Sequence, residues 1–434
     1  MPTTSSLVNE FYKSTELRKD LSFSDIPISE SNWGTHSYHS YPAKFSPLLA
    51  GHLIELYSKK GQAIWDPFCG SGTVNLESIR KKRSTIGTDI NPISVLISKV
   101  KTTPLDPKKL EMYSNDLFQA IEKNKHRSVS YFVKEGILNG NLPFLRKWYP
   151  EKTLLDLARI LYATKNQTMA HQYQSFSLCC FSSILKKTSF WLKTSIKPQF
   201  DYSKVPSPAI KAFEESFSRM QKLNKEFYTA FDKQKRDVQV FQHDATMPFH
   251  DVEKVDHIIT SPPYLVSYEY SDIFKLSAHL LTKYENEKYV SFKKKFIGTQ
   301  LKKNIYRDDE IVQICNRAIG TELVGKKGKL DRSLNYFQDM SMFFENAQNQ
   351  LKKRGNLVLV VGDATIDGQI IPNAYILSKI AESKGFILRE KFRREIGRRN
   401  LPGYRDRSTG KFTKLKNTNG VMAHPEEFVL AFQG

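Results

Sequence analysis

Cysteine is scarce in this 434-residue chain. Cys69, Cys179, Cys180 and Cys315 have neither the spacing of a metal-ligand set nor that of a disulfide framework. No stretch reaches the ~18 consecutive apolar residues of a membrane-crossing helix. The N-terminus lacks the apolar core of a secretory signal. No internal repeat is apparent, and no nuclease motif is visible. Acid is short as well: 45 Asp and Glu stand against 66 Lys and Arg, a formal net charge of +21. These shortages predict a protein of a reducing, cytoplasmic compartment that meets a polyanion, because neutralising phosphates supplies most non-specific nucleic-acid affinity.

What is present centres on Asp66-Pro-Phe-Cys-Gly-Ser-Gly-Thr73. Ala63, Ile64 and Trp65 lead into it as a buried strand would, and Val74 to Arg80 reads as the opening of a helix. Strand, glycine loop and helix together form the ligand-cradling start of a doubly wound α/β sheet. Gly70 and Gly72 permit a tight turn and a close approach to a ligand. Ser71 and Thr73 bring hydroxyls to a helix N-terminus, where free N–H groups gather. No lysine follows the last glycine, so this is not a Walker A loop. A second strand, Ser84 to Asp89, ends in Gly87-Thr-Asp-Ile-Asn-Pro92, and an acid at that position typically takes ribose hydroxyls. A third, Asp256-His-Ile-Ile-Thr260, runs directly into Ser261-Pro-Pro-Tyr264. A Pro-Pro linker would not follow such an apolar run.

The pair Asp-Pro-Phe-Cys-Gly-Ser-Gly-Thr and Thr-Ser-Pro-Pro-Tyr resembles the amino-methyltransferases of DNA. That family moves a methyl group from S-adenosylmethionine to N4 of cytosine or N6 of adenine, often within restriction-modification systems. The resemblance covers Trp33 to about Pro104 and Val238 to the C-terminus. It implies that Ser261, Pro262, Pro263 and Tyr264 are catalytic. It also implies a cofactor site of Asp66, Pro67, Phe68, Cys69, Gly70, Ser71, Gly72 and Thr73, with Asp89, Ile90 and Asn91 at the ribose and Asp244 and Ala245 at the adenine. Tyr41, Pro42, Lys44 and Phe45 resemble the family's N-terminal cofactor-lining motif, with Phe45 as the ring against the ligand. Serine at the first catalytic position favours N4-cytosine. N6-adenine, and a base in tRNA or rRNA, are the alternatives, followed by a non-catalytic DNA-binding subunit. The implied partner is double-stranded DNA, with a separate cognate endonuclease, no metal and no membrane, in a prokaryotic, nucleoid-associated setting.

The expected fold is a Rossmann-like methyltransferase α/β sheet with an antiparallel final strand. Residues 1–104 would supply an N-terminal arm and the cofactor half, and 236–434 the catalytic half. Residues 105–235 carry helical periodicity with interleaved cations and aromatics, and predict an inserted, mainly helical subdomain that takes part in target recognition. Two basic stretches are expected to face DNA. One contains Lys293, Lys294, Lys295, Lys302 and Lys303. The other, Arg389 to Lys416, has eleven Lys or Arg against three acids, net +8. It includes Arg393, Arg394, Arg398, Arg399, Arg405 and Arg407.

Overall fold

A computed structural model describes the chain apart from residues 1–3, 43, 139–141, 232–236, 266–268, 283–285, 300, 302–307, 320–328, 367–368, 397–403, 407–411, 414–419 and 423–425. The main sheet is built from β1 (Glu16–Leu17), β2 (Ala63–Asp66), β3 (Ser84–Asp89), β4 (Val238–Gln242), β5 (Val255–Thr260) and β6 (Leu351–Val361). A hairpin of β7 (Ala364–Ile366) and β8 (Gln369–Ile371) follows. Then come β9 (Ile387–Glu395), a small sheet of β10 (Tyr404–Asp406), β11 (Phe412–Thr413) and β12 (Gly420–Met422), and lastly β13 (Glu426–Gln433). The main sheet runs in the order β1-β9-β13-β6-β5-β2-β3-β4. From β6 to β4 every pairing is parallel. β13 is antiparallel to both β6 and β9, so the expected Rossmann-like sheet with its antiparallel final strand is the fold observed.

The central strands are buried on both faces, as parallel strands flanked by helices must be. Along β6, Leu357, Leu359 and Val361 enter the apolar cluster under the helices Lys329–Gln350 and Asn373–Ser383. Val358 and Val360 point the other way, into a cluster with Leu49 and Leu53 of the helix Pro47–Tyr57. The period of two thus divides one run between two cores.

Among the described residues, six helices lie between the helix Pro92–Thr102, which follows β3, and β4: Pro107–Lys123, Val129–Lys134, Leu142–Trp148, Glu151–Lys165, His171–Ile184 and Ala209–Phe231. Their apolar faces form one cluster that also takes in Ile93, Ile97 and Val100 of the helix Pro92–Thr102. Phe274, Leu276 and Leu280, which follow the Ser-Pro-Pro-Tyr strand, complete it. The insert is therefore helical as expected, and its core is shared with both halves of the sheet domain.

After Ser-Pro-Pro-Tyr the chain forms two helical pieces, Tyr270–Ile273 and Lys275–Leu281. Phe274, between them, packs its ring on His39 and Tyr41. The N-terminal arm contributes the helix Thr4–Lys13 and adds β1 to the sheet edge, parallel to β9. The basic stretch after β9 contains the three short antiparallel strands β10 to β12.

Candidate active site

Parallel order places the carboxyl ends of β2, β3, β4 and β5 side by side, the edge where open α/β sheets bind ligands. Gly70 and Gly72 adopt φ of +49° and +74°, the left-handed region that a side chain disfavours. A Cβ on Gly72 would collide with Ser98, and one on Gly70 would stand 3.0 Å from the Tyr41 hydroxyl. Both glycines are thus required twice, by dihedral and by space.

Asp89 fastens this turn to the end of β3. Its Oδ2 accepts the Gly70 N–H at 3.0 Å and its Oδ1 the Asn91 N–H at 2.8 Å. Burial pushes the Asp89 carboxyl up to about 6. Each oxygen takes one backbone donor and keeps a lone pair for another. Asn91 in turn caps the helix Pro92–Thr102, accepting from Ile93 N at 3.0 Å. Ser71 Oγ and Thr73 Oγ1 are buried without a hydrogen-bond partner, polar atoms left over for a ligand at the helix N-terminus. A glycine turn, orphan hydroxyls and an acid with spare acceptors fit a cofactor that carries a ribose and an amino-acid tail.

Asp66, at the end of β2, is 2% exposed. Its Oδ1 accepts the Thr260 hydroxyl at 2.6 Å and the Phe68 N–H at 3.2 Å. Burial, with the nearby charge of Asp89, pushes its carboxyl up to about 7. Thr260 is the last residue of β5, so this bond joins the glycine loop to the residue immediately before Ser261. The two motifs, 194 residues apart, meet at one carboxylate.

Ser261 to Tyr264 leave β5 as irregular backbone. The Tyr264 hydroxyl donates to Glu427 Oε1 at 3.1 Å, and the Ser261 side chain also hydrogen-bonds Tyr264. Glu427 holds the Arg394 guanidinium on its other oxygen, at 3.1 Å from Nε and 2.8 Å from Nη2. The Tyr264 N–H reaches the Tyr270 hydroxyl at 3.4 Å. Burial, then the Glu427 charge, raise the Tyr264 phenol well above its ordinary value, so it stays a donor. Glu427 and Thr260 were not expected from the sequence. Thr260 was visible only as the first residue of Thr-Ser-Pro-Pro-Tyr and nothing local marks Glu427, because their partners are brought by strand order.

The N-terminal segment is held by a buried acid. Glu77 accepts Trp33 Nε1 at 2.7 Å and bonds His36 Nε2 at 2.9 Å, and burial pushes the His36 imidazole down to about 4. That anchor sets Tyr41 against Gly70, with its hydroxyl 3.2 Å from Ser94 Oγ. Lys44 donates to Asn32 Oδ1 at 2.6 Å, and burial pushes its ammonium down to about 8. Phe45, expected as the ring beside the ligand, instead packs on the Leu49–Leu53 cluster, and Tyr41 is the ring at the glycine loop. Asp244 folds back on Thr246, whose N–H and hydroxyl it accepts at 3.0 and 2.7 Å. Next to it, the Ala245 carbonyl takes Asn346 Nδ2 at 3.1 Å.

Of the expected DNA contacts, Arg394 is corrected. It is 4% exposed, and it spends its guanidinium on Glu427 and on the Leu21 carbonyl at 2.8 Å. Arg393 is committed to Glu426, both of whose oxygens lie 2.9 Å from Nη1, and Lys293 to Asp272 at 2.9 Å. Lys294 and Lys295 are exposed. Arg405 lies in β10, and Lys302, Lys303, Arg398, Arg399 and Arg407 fall outside the described residues. Among the described residues, no group of three or more His, Cys, Asp or Glu is placed to hold a metal, and no helix is long and apolar enough to cross a membrane.

Residues 6–99 match the N6/N4 methyltransferase family, described as DNA methylase. The chain is 26% identical over 398 residues to the Type II methyltransferase M.MvaI of Kocuria varians, covering 85% of each chain. It is 24% identical over 426 residues to the Type II methyltransferase M.BsoBI of Geobacillus stearothermophilus, covering 82% of this chain and 80% of that one. Against M.MjaII of Methanocaldococcus jannaschii it is 23% identical over 459 residues, covering 87% and 79%. The family match at the glycine loop and relatives of this coverage show a chain similar to the amino-methyltransferases of DNA found in restriction-modification systems, with S-adenosylmethionine as the cofactor.

Proposed function

We propose that this chain is a Type II DNA methyltransferase that methylates N4 of a cytosine extruded from double-stranded DNA. The observation that carries the reading is the Thr260–Asp66 hydrogen bond, because it places Ser-Pro-Pro-Tyr at the lip of the glycine loop. S-adenosylmethionine supplies an electrophilic methyl group. The rest is positioning and polarisation by the chain.

The amino nitrogen of cytosine is a poor nucleophile, since its lone pair is delocalised into the ring. Ser261 Oγ and the Pro262 carbonyl accept the two amino protons, which favours a pyramidal nitrogen with its lone pair aimed at the methyl carbon. Tyr264 donates to Glu427 and receives the Ser261 hydroxyl, which leaves the Ser261 lone pairs turned toward the substrate. Two successive prolines stiffen the loop and hold both acceptors in place. Extrusion costs a few kcal/mol of unstacking, and stacking on the Tyr264 ring returns ~1–3 kcal/mol. No strong base is needed, because the methylated amine becomes acidic and loses its proton afterwards.

On the cofactor side, Asp89 accepts ribose hydroxyls with its remaining lone pairs, and the Gly70–Thr73 turn takes the amino-acid end. Asp244 meets the adenine. A neutral serine in place of an acid or amide favours cytosine over adenine. The test incubates the protein with labelled S-adenosylmethionine and unmethylated genomic DNA, with total tRNA in parallel, followed by nucleoside digestion and mass identification. N4-methylcytosine is the expected product. N6-methyladenine would keep the mechanism and overturn the use of Ser261, whereas label confined to RNA would overturn the DNA assignment.

A further inference from the structure

A ladder of rings leads from the catalytic loop to an exposed tip of the helical insert. Near the loop, the Tyr289 hydroxyl donates to the Ser271 carbonyl at 2.7 Å, beside Tyr270, which receives the Tyr264 N–H. From Tyr289 the rings continue to His279 at 4.8 Å between centroids. His279 stacks on Phe144 at 4.0 Å, and Phe144 meets Trp148 at 6.3 Å. Trp148 stacks on Phe200 at 3.9 Å, and Phe200 lies parallel to Tyr202, with 5.4 Å between centroids and 3° between planes.

The last two rings break the burial rule that the others obey. Trp148 is 3% exposed and Tyr289 4%, but Phe200 is 36% and Tyr202 76% exposed. The segment that carries them is nonetheless built rigidly. Trp191 pairs with Phe200 as an antiparallel bridge, and Leu192 N donates to the Gln199 carbonyl at 2.8 Å. Lys204 Nζ spans the turn, donating to the carbonyls of Lys186 and Trp191 at 2.8 Å each. A braced turn that presents two parallel aromatic rings to water has paid for an exposed apolar surface that the insert's own core does not need.

Charge identifies what covers it. Residues 186–204 hold five lysines against the single acid Asp201. Lys193 and Lys197 are exposed, and their ammonium groups have no hydrogen-bond or ion-pair partner among the described residues. Unpaired cations flanking a flat aromatic face match a nucleic acid, where phosphates meet ammonium groups and a base or sugar packs on the ring. A second copy of this basic chain would set like charge against the lysines.

We infer that the Phe200–Tyr202 tip, with Lys193 and Lys197, is a contact surface for double-stranded DNA flanking the extruded base. The lysines hold the backbone, and Tyr202 packs against an exposed base or sugar face. Through the ladder this contact is braced on the helices next to the catalytic loop. The inference rests on the reading of the chain as a DNA methyltransferase.

The test uses the full chain loaded with S-adenosylmethionine and a short random-sequence duplex, with total tRNA as competitor, across a salt series. Tyr202→Ala is expected to weaken duplex binding about 5- to 100-fold, the range of ~1–3 kcal/mol for one stacked base. Lys193→Ala combined with Lys197→Ala is expected to weaken it uniformly and reduce the salt slope by roughly 1.8, two phosphates at ~0.9 each. Both variants should keep the wild-type cofactor affinity and melting temperature, since all three side chains are exposed. Wild-type duplex affinity and salt slope in both variants would overturn the inference while leaving the DNA reading intact. A wild-type protein that binds and methylates tRNA but not duplex would overturn the reading itself. Variants that lose tRNA binding alone would reassign the tip to RNA.

Discussion

The Tyr264 hydroxyl donates to Glu427 at 3.1 Å, so the last residue of Ser-Pro-Pro-Tyr is tethered to the antiparallel strand β13. Arg394 holds the same carboxylate from β9. Tyr264→Phe retains the ring and removes the tether. It is expected to lower kcat about tenfold, the worth of one hydrogen bond at ~1.4 kcal/mol. Cofactor affinity should remain at the wild-type value. Tyr264→Ala should lose a further ~1–3 kcal/mol of stacking. Single-turnover methylation of the two variants checks both statements, and a wild-type rate in Tyr264→Phe would remove the tether from the mechanism.

Asp66 couples stability to pH. Its carboxyl is raised from 3.8 to about 7 in the folded chain, so the folded state holds a proton that the unfolded state has released. The contribution is fully present below about pH 4 and is lost as pH rises through about 7. In the cofactor-free protein, the melting temperature of wild type relative to Asp66→Asn should therefore fall across that window. Thr260→Val removes the donor to Asp66 and should cost about 1–3 kcal/mol, most of it expressed at the alkaline end. Thermal melts of the three proteins over the pH series decide it.

Asp89 makes the opposite demand on pH through binding. Its carboxyl sits at about 6, and only the ionised form keeps all its lone pairs for ribose hydroxyls. S-adenosylmethionine affinity should weaken below that pH, toward a limit of about tenfold per unit. Asp89→Asn should bind weakly at every pH, with a flattened profile. Calorimetric titration of both proteins over the same range is the measurement.

Lys101 is 0% exposed and its Nζ has no hydrogen-bond partner. Burial, with the charge of Lys44 second, pushes its ammonium well below the ordinary lysine range, so the folded chain holds that proton less tightly than the unfolded one. Stability is then lost as pH falls, because the unfolded chain takes up the proton. Lys101→Met fills the same space without that penalty and should raise the melting temperature, more in acid than in alkaline buffer. An unchanged or lower melting temperature in acid would refute it.

Much of the sheet was legible because its strands are short apolar runs ended by glycine or acid, and the glycine loop announces itself by composition. Asp66, Asp89 and Ser261–Tyr264 fall at strand ends that the pattern located to within a residue or two. The contacts between these places were not legible. Glu427 meets Tyr264 across 163 positions and Thr260 meets Asp66 across 194, and both partnerships follow from strand order, which no local period encodes. Arg394 was misplaced for a related reason. A count of charge in Arg389 to Lys416 cannot distinguish the alternating faces of a strand, and β9 turns Arg394 inward against Glu427. Phe45 and Tyr41 sit four residues apart in one motif, and only the Glu77 anchor decides which ring reaches Gly70.

The helical insert shares its core with Ile93, Ile97 and Val100 on one side and with Phe274, Leu276 and Leu280 on the other. A graft of residues 105–235 into a relative would arrive with its apolar face cut in two, and the recipient would be left with helices that no longer match it. The insert is therefore more open to point changes on its exposed tip than to exchange as a cassette. Protease nicking between insert and sheet should likewise leave the fragments associated. In this chain the insert and the sheet domain are inherited together, and a lineage that drifts in one must repack the other.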